Sequence, residues 1–292
     1  AAALASGTEP ESPQATQLCV KPVMTNIIHT GVWEGPCRWR GVSVEDEQQH
    51  AAQSFARWSQ ALRKTALGTR QDVRLLDPVQ ITFSEDFAIA KRDFDKLASD
   101  ARQTDAFFLH PAGSSISAFE IGDRFSRPIL LQGLNCRNVD IAAYTRSRGN
   151  EVFVAADEQE FDSLLSLLRA RKMLRETSVL FPTDRGLPAV CSVGSIWDLE
   201  ALEERVGVKV KTISYRELGE EMDAVSKDPA AKEGARAGAE ELVRQADRTF
   251  LDRSYVAKSL LFYRAVRNLM ARHDCNAFTI ECFEFCSSRL PD

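Results

Sequence analysis

The sequence lacks the short motifs that mark the commonest nucleotide and hydrolase sites. It contains no G-x-G-x-x-G and no G-x-x-x-x-G-K-[ST], which argues against a Rossmann dinucleotide site and a P-loop. A G-x-S-x-G nucleophile elbow is also missing, which removes the main sequence signature of α/β-hydrolases. The four histidines form no H-x-x-x-H pair, so no helical zinc motif is present.

An excess of basic charge is missing as well. The 37 Lys and Arg residues are outnumbered by 42 Asp and Glu residues, so the formal net charge is −5. This balance provides no basic field for nucleic acid and no polybasic membrane patch. No run approaches the ~20 apolar residues that span a bilayer. Neither nucleic acid nor a membrane is therefore predicted as a partner.

The seven cysteines form no C-x-x-C pair, and they are spread along the chain. This spacing does not support a zinc ribbon, a thioredoxin motif or a disulfide scaffold. It favours free thiols, most of them buried. Hydrophobic residues make up 44% of the 292 residues, which is enough for a globular protein with two compact domains.

The first residues are unusual for a globular domain. Residues 1–7 are small and mostly apolar, and the polar residues 8–17 follow. This pattern is consistent with the end of a signal peptide, with an added cloning sequence or with an Ala-rich disordered end. We predict a disordered leader over residues 1–20, a first domain over 21–172 and a second domain over 173–292.

Strand patterns alternate with helix patterns along the rest of the chain. In the first series, strands are predicted at residues 23–30, 72–82, 106–110, 128–133 and 151–155, and helices at 44–67, 86–101 and 158–175. In the second series, strands are predicted at 178–182 and 209–215, and helices at 196–206, 217–225 and 240–273. The polar residues 226–236 are predicted as a linker or as the lead-in to a helix. Such alternation predicts a parallel sheet with helices on both faces. The predicted fold is α/β, with two tandem doubly wound domains of the Rossmann/flavodoxin type.

Two features of the first series suggest ligand contacts. His29 and His110 both end predicted strands, so they are candidates to share a crevice at one sheet edge. The loop at residues 31–41 holds three glycines and the sequence Arg38-Trp39-Arg40. Guanidinium groups suit carboxylate, phosphate or sugar hydroxyl groups, and aromatic faces suit sugar rings. The alternative is that the tryptophans pack the loop and leave the arginines in water, and the sequence favours neither interpretation.

The closing stretch, residues 275–286, places two carboxylates and two thiols after a strand pattern. On a strand, Glu281 and Glu284 would point to opposite faces, whereas on a helix they would converge. Glu281 is the better candidate for a ligand contact. Cys282 and Cys286 are spaced for one helical face, where packing is favoured over a redox role.

Three stretches resemble the L-fucose/L-arabinose isomerase-like family. Residues 274–283 resemble the start of its third segment, and residues 33–41 are similar in place and arginine content to its N-terminal loop. Residues 76–85 resemble its second strand and the exit from that strand. The family also opens with two tandem α/β domains.

The resemblance implies interconversion of aldoses and ketoses with a divalent ion, usually manganese, held by a Glu, an Asp and a His. Those ligands, and the catalytic residues, are expected beyond Asp292, so no residue of this chain is assigned to the metal. Arg38, Trp39, Arg40 and Glu281 would bind the sugar substrate. In fucose isomerases the N-terminal loop reaches a neighbouring subunit, which implies a homo-oligomer, and the resemblance implies a cytoplasmic protein.

Two other functions remain open at this point. The Ala-rich start, and a loop without the family's usual order of acidic residue, glycine and arginine, fit an exported relative that uses the metal site for glycoside cleavage or lyase chemistry. Two α/β domains around a crevice also describe a non-enzymatic periplasmic sugar-binding protein.

Overall fold

A computed structural model of the chain describes residues 16–29, 43–83, 91–111, 117–186, 198–288 and 290. These residues form two compact units that divide between Lys172 and Met173. Each unit has its own sheet, and all strand pairs within both sheets are parallel. The predicted α/β class, with a mostly parallel sheet flanked by helices, is confirmed.

The first sheet is arranged around β1 (Leu18–Ile27). On one side β1 pairs with β2 (Val73–Leu75) and β3 (Val79–Phe83). On the other side it pairs with β4 (Ala106–Pro111), which is followed by β5 (Ile129–Gln132) and β6 (Val152–Ala155). Strands that follow β1 in the sequence therefore lie on both sides of it. The side on which new strands are added changes between β1 and β4, so the strand order reverses there. Such a reversal is where open α/β sheets usually bind ligands.

β1 begins earlier than the sequence pattern indicates. Leu18, Cys19 and Val20 are buried strand residues, although they lie in the stretch predicted as the leader. The predicted strand at residues 72–82 is two strands. Val20 and Val23 of β1 face Leu75 and Val79, respectively. Two residues separate Val20 from Val23, whereas three residues separate Leu75 from Val79. The extra residue makes a bulge, and Pro78, which has no N–H to donate, lies within it.

Helices cover both faces of this sheet: α1 (Val44–Leu62), α2 (Ala66–Thr69), α3 (Lys91–Ala98), α4 (Ser117–Phe125), α5 (Cys136–Ser147) and α6 (Glu158–Arg175). Phe107 and Leu109 of β4 belong to one core cluster, and Phe108 between them belongs to another. Neighbouring strand side chains point to opposite faces, so each face buries its own core. The predicted bounds of α6 are confirmed, whereas α4 and α5 occupy stretches with no predicted element.

The second sheet has three strands in the order β8 (Lys209–Ile213), β7 (Ser178–Pro182) and β9 (Ala277–Phe278). Its helices are α7 (Leu199–Val206), α8 (Tyr215–Lys227), α9 (Pro229–Gln245), α10 (Arg253–Arg272) and α11 (Cys282–Ser287). Among the described helices, none combines the length and the apolar character that crossing a bilayer requires.

Residues 226–236, predicted as a linker or as the lead-in to a helix, are mostly helix, because α8 ends at Lys227 and α9 begins at Pro229. Proline suits the first position of a helix, where its missing N–H is not needed, and the Asp228 carboxylate accepts the N–H of Ala230 at 2.9 Å. The buried face of α9 consists of small residues, Ala231, Ala235, Gly238 and Ala239. Such a face carries little hydrophobic signal in the sequence, although it allows neighbouring helices to approach closely.

The predicted helix at 240–273 is interrupted. Helix α9 ends at Gln245, and α10 begins at Arg253. The Asp252 carboxylate accepts the N–H of Ser254 at 2.8 Å and starts the new helix as an N-cap.

A buried ion pair supports the first sheet, and it yields a stability prediction. Lys21 of β1 has a side chain only 2% exposed, and its ammonium pairs with the Asp100 carboxylate. Asp100→Ala would leave this cation buried and unpaired, so we expect a loss of about 3 kcal/mol in unfolding free energy. Urea unfolding measures this loss. The matched control is Asp140→Ala on the exposed side of α5, and equal losses in the two variants would contradict the prediction.

Candidate functional site

A crevice of about 680 Å³ opens in the first unit, beside the ends of β4 and β5. Its walls come from α1, the exits of these two strands and the first turn of α5. Binding sites for small molecules have volumes of about 300–1,000 Å³, and parallel sheets place them at the carboxyl edge of their strands. The size and position of the crevice therefore fit a small-molecule site.

One wall of the crevice is aromatic. The Trp58 ring on α1 stacks on the His110 ring at the end of β4, with centroids 5.5 Å apart and planes 26° apart. Trp58 also stacks on Phe108 at 6.1 Å, which anchors it to the core below. The wall thus offers a flat apolar face that is fixed from beneath, and such a face suits the C–H side of a sugar or another flat ring.

Polar groups of the crevice are held by the turn between β5 and α5. Asn135 caps α5 by accepting the N–H of Asn138 at 2.9 Å. The buried Asn138 amide donates to the carbonyls of Gln132 at 2.9 Å and of Gly133 at 2.8 Å. Gly133 has φ +94°, a conformation that glycine adopts without strain. These bonds fix where the first turn of α5 meets the crevice.

Arg137 extends from this first turn to the neighbouring strand. Its Nη1 donates to the carbonyl of Pro111, at the end of β4, at 2.9 Å. A guanidinium carries five N–H donors in a planar fork, and this bond uses one while it orients the others. Arg137 thus places positive charge and further donors at a defined position beside the crevice.

The environment of His110 favours its neutral form. Burial lowers the pKa of its imidazole, and the positive charge of Arg137 lowers it further. A neutral imidazole offers one N–H donor and one nitrogen acceptor, which is the pairing that a hydroxyl group of a ligand needs.

The crevice lining contains aromatic rings, an imidazole, amides, a guanidinium and the exposed Cys136 thiol. No carboxylate lies among its described lining residues. This set can bind and orient a polar ligand that carries an apolar face.

No residue of the described segments is assigned to the predicted manganese. Within these segments, no three His, Cys, Asp or Glu side chains come together as a metal site. The sequence prediction places the ligands beyond Asp292, so the metal stays a prediction and no chemical step is derived from it here.

The predicted substrate loop cannot be compared with the crevice. Arg38, Trp39 and Arg40 lie outside the described residues. His29 follows β1, where its Nδ1 is 3.0 Å from one Glu47 carboxylate oxygen and its backbone N–H donates to the other at 2.7 Å. Only one of the two strand-end histidines, His110, is among the residues that line the crevice.

The closing stretch turns from strand to helix. β9 ends at Phe278, and Glu281 is the N-cap of α11, where its carboxylate accepts the N–H groups of Phe283 and Glu284. The expected packing of Cys282 and Cys286 is wrong, because both thiols are exposed. Glu284 is the buried carboxylate of this stretch, with 6% of its surface exposed.

No protein-family model and no curated protein match this chain. The resemblance to the L-fucose/L-arabinose isomerase-like family therefore stays a prediction.

The residues of the crevice were mostly missed by the sequence analysis. From its spacing with Ala51, Phe55 and Leu62, Trp58 is expected only on the apolar face of the first helix, and nothing in the sequence predicts a role for Arg137 or Asn138. One local signal was present: Asn135 follows a strand pattern and Gly133, and an asparagine in that position is a typical helix N-cap. The contact between Trp58 and His110 joins residues far apart in the chain, so no local pattern predicts it.

The crevice yields a prediction about pH. The pKa of His110 should lie below its ordinary value of 6.5. Because the unfolded chain binds this proton more tightly, the contribution of His110 to stability is complete above pH 6.5 and declines as the pH falls through that value.

NMR titration of the His110 ring measures its pKa directly. Arg137→Gln should raise this pKa only part of the way, since burial is the larger cause of the shift. An imidazole that titrates at or above pH 6.5 in the folded wild type would contradict the assignment.

Proposed function

We propose that this chain recognises a small hydroxylated ligand of the carbohydrate class in the crevice of its first unit, as part of a sugar isomerase-like enzyme. The observation that carries the proposal is the combination, at the carboxyl edge of β4 and β5, of a fixed aromatic face with fixed polar groups. The resemblance of three sequence stretches to fucose and arabinose isomerases makes an aldose or ketose the first candidate.

A sugar has two kinds of surface, and the crevice has a counterpart for each. The C–H face of the ring packs on aromatic side chains, here Trp58 with His110 behind it. Hydroxyl groups need donors and acceptors together, which the neutral His110 and the polar exits of β5 supply. Arg137 adds charge-assisted donors, which are about twice as strong as neutral ones.

The finer architecture belongs to the same proposal. We infer that residues 173–292 form a second doubly wound domain in tandem with the first. The support is the parallel order β8-β7-β9, in which the chain leaves β7 in both directions, as it leaves β1 in the first unit.

A non-enzymatic sugar-binding protein is the second candidate. One observation favours it: the described lining of the crevice holds recognition groups and no carboxylate. Interconversion of an aldose and a ketose moves a proton between adjacent carbons and needs a base in contact with the substrate. In the isomerase proposal, that base comes from outside the described lining.

Titration calorimetry with L-fucose, L-arabinose and their ketose isomers tests recognition. We expect saturable binding, and Arg137→Gln should weaken it by about tenfold, or about 1.4 kcal/mol, because charge-assisted donors are lost. The matched control is Arg102→Gln, an exposed arginine of the same unit that does not line the crevice. Equal affinities of the two variants for the sugars would contradict the crevice as the binding site.

An activity assay separates the two candidates. The same sugars are incubated with the protein, with and without added manganese and chelator, and the ketose formed is measured. Turnover that the chelator abolishes supports the isomerase. Sugar binding without turnover supports the binding protein, and full activity after removal of the metal contradicts the manganese prediction.

A further inference from the structure

At the carboxyl edge of the second sheet, a side chain of the protein itself, the Glu284 carboxylate, occupies an anion-binding position. β7 lies between β8 and β9, so the strand order reverses between β7 and β9, where α/β sheets usually bind ligands. The exit of β7 is Thr183-Asp184-Arg185-Gly186, and α11 follows β9. The Glu284 side chain of α11 occupies this position.

Both oxygens of the Glu284 carboxylate are bonded to the exit loop of β7. Oε1 accepts the backbone N–H groups of Asp184 at 2.8 Å and Arg185 at 3.0 Å. Oε2 accepts the hydroxyl of Thr183 at 2.8 Å. Three donors therefore converge on one buried carboxylate, which is a strong arrangement for an anion.

The loop is built so that its donors face the carboxylate. The Thr183 hydroxyl oxygen accepts the N–H groups of Arg185 at 3.2 Å and Gly186 at 2.8 Å, so its own proton is directed to Glu284. Gly186 has φ +77°, which glycine adopts without strain and which closes the turn. Successive N–H groups in such turns form concave anion sites.

The carboxylate is held by dipoles and not by a cation. Among the described residues, no lysine, arginine or histidine forms an ion pair with Glu284. The pKa of the nearby Tyr215 is raised to about 12. Burial is the largest cause, and the charge of Glu284 comes next, followed by those of Glu281, Asp184 and Cys286. Backbone donors without a counter-ion are also how proteins hold ligand carboxylates.

The element that carries Glu284 is small. Helix α11 has six residues, too few to be stable without tertiary contacts. Phe283, Cys282 and Cys286 are exposed, and Phe285 is the residue that packs inward, with ring centroids 5.5 Å from Phe262 and 6.3 Å from Tyr215. The other described contacts of the segment are the packing of Ile280, Phe285 and Leu290 on the core and a hydrogen bond from the Tyr215 hydroxyl to the carbonyl of Glu281 at 3.5 Å.

We propose that the exit loop of β7 is a carboxylate-binding site, and that Glu284 closes it as an internal ligand with α11 as its lid. A ligand carboxylate would bind to the same three donors once Glu284 is displaced. This site is independent of the proposed function, because it lies in the second unit and uses no residue of the crevice.

Replacement of the internal ligand by an external one tests the proposal. In Glu284→Ala, the full chain loses the carboxylate and leaves its donors unpaired, so the melting temperature should fall by several degrees. Acetate or formate should then raise the melting temperature saturably, because an anion that binds only the folded state stabilises it. Chloride at the same ionic strength should not.

Three controls define the expected pattern. The wild type should not respond to acetate, because its own carboxylate fills the site. Glu284→Gln should also not respond, because its amide occupies the space of the added anion. Glu220→Ala, on the exposed side of α8, should neither lose stability nor respond. Equal effects of acetate and chloride on Glu284→Ala would overturn the proposal.

Amide exchange provides a second measurement that does not depend on the folding of Glu284→Ala. In Glu284→Gln, the amide protons of Asp184 and Arg185 should exchange about tenfold faster than in the wild type, since each loses a charge-assisted acceptor. Their rates in Glu220→Ala should not change. Unchanged exchange in Glu284→Gln would show that the carboxylate is not the ligand of the loop.

Discussion

Parallel pairing of β1 with strands on both of its sides is the constraint on which the rest of the first unit depends. Parallel strands place all their carboxyl ends at one edge, and a central first strand makes the chain order reverse there. The buried Lys21 and its partner Asp100 stabilise this strand from within. The exit turns of β4 and β5 then bring His110 and Arg137 to the same crevice.

The two sheets use the same edge in different ways. In the first unit, described residues at this edge line a crevice of ligand size. In the second unit the corresponding edge contains Glu284, whose carboxylate satisfies the donors of the exit loop of β7. In our two proposals, the same reversal of strand order therefore produces a recognition site in one unit and a site closed by its own chain in the other.

The candidate site shows where reading the sequence alone reaches its limit. Trp58 was recognised as a residue of the inner face of α1, but its contact with His110 bridges 52 positions and depends on how α1 lies on the sheet. The start of helix α9 was not recognised from the sequence, because its buried face consists of small residues and gives little hydrophobic periodicity. Glu281 was the preferred candidate for a ligand contact, but it is the N-cap of α11, and the buried carboxylate is Glu284.

Sequence alone determined the α/β class and the bounds of α6 and β7. These features follow from local periodicity and from residues that begin or end an element, and both are properties of short segments. Only the tertiary structure decided which strand ends meet, that Arg137 bonds to the exit of β4, and that Glu284 fills the exit loop of β7. Each of these contacts joins distant parts of the chain, and its free energy comes from burial and directed hydrogen bonds that exist only after the sheet has assembled.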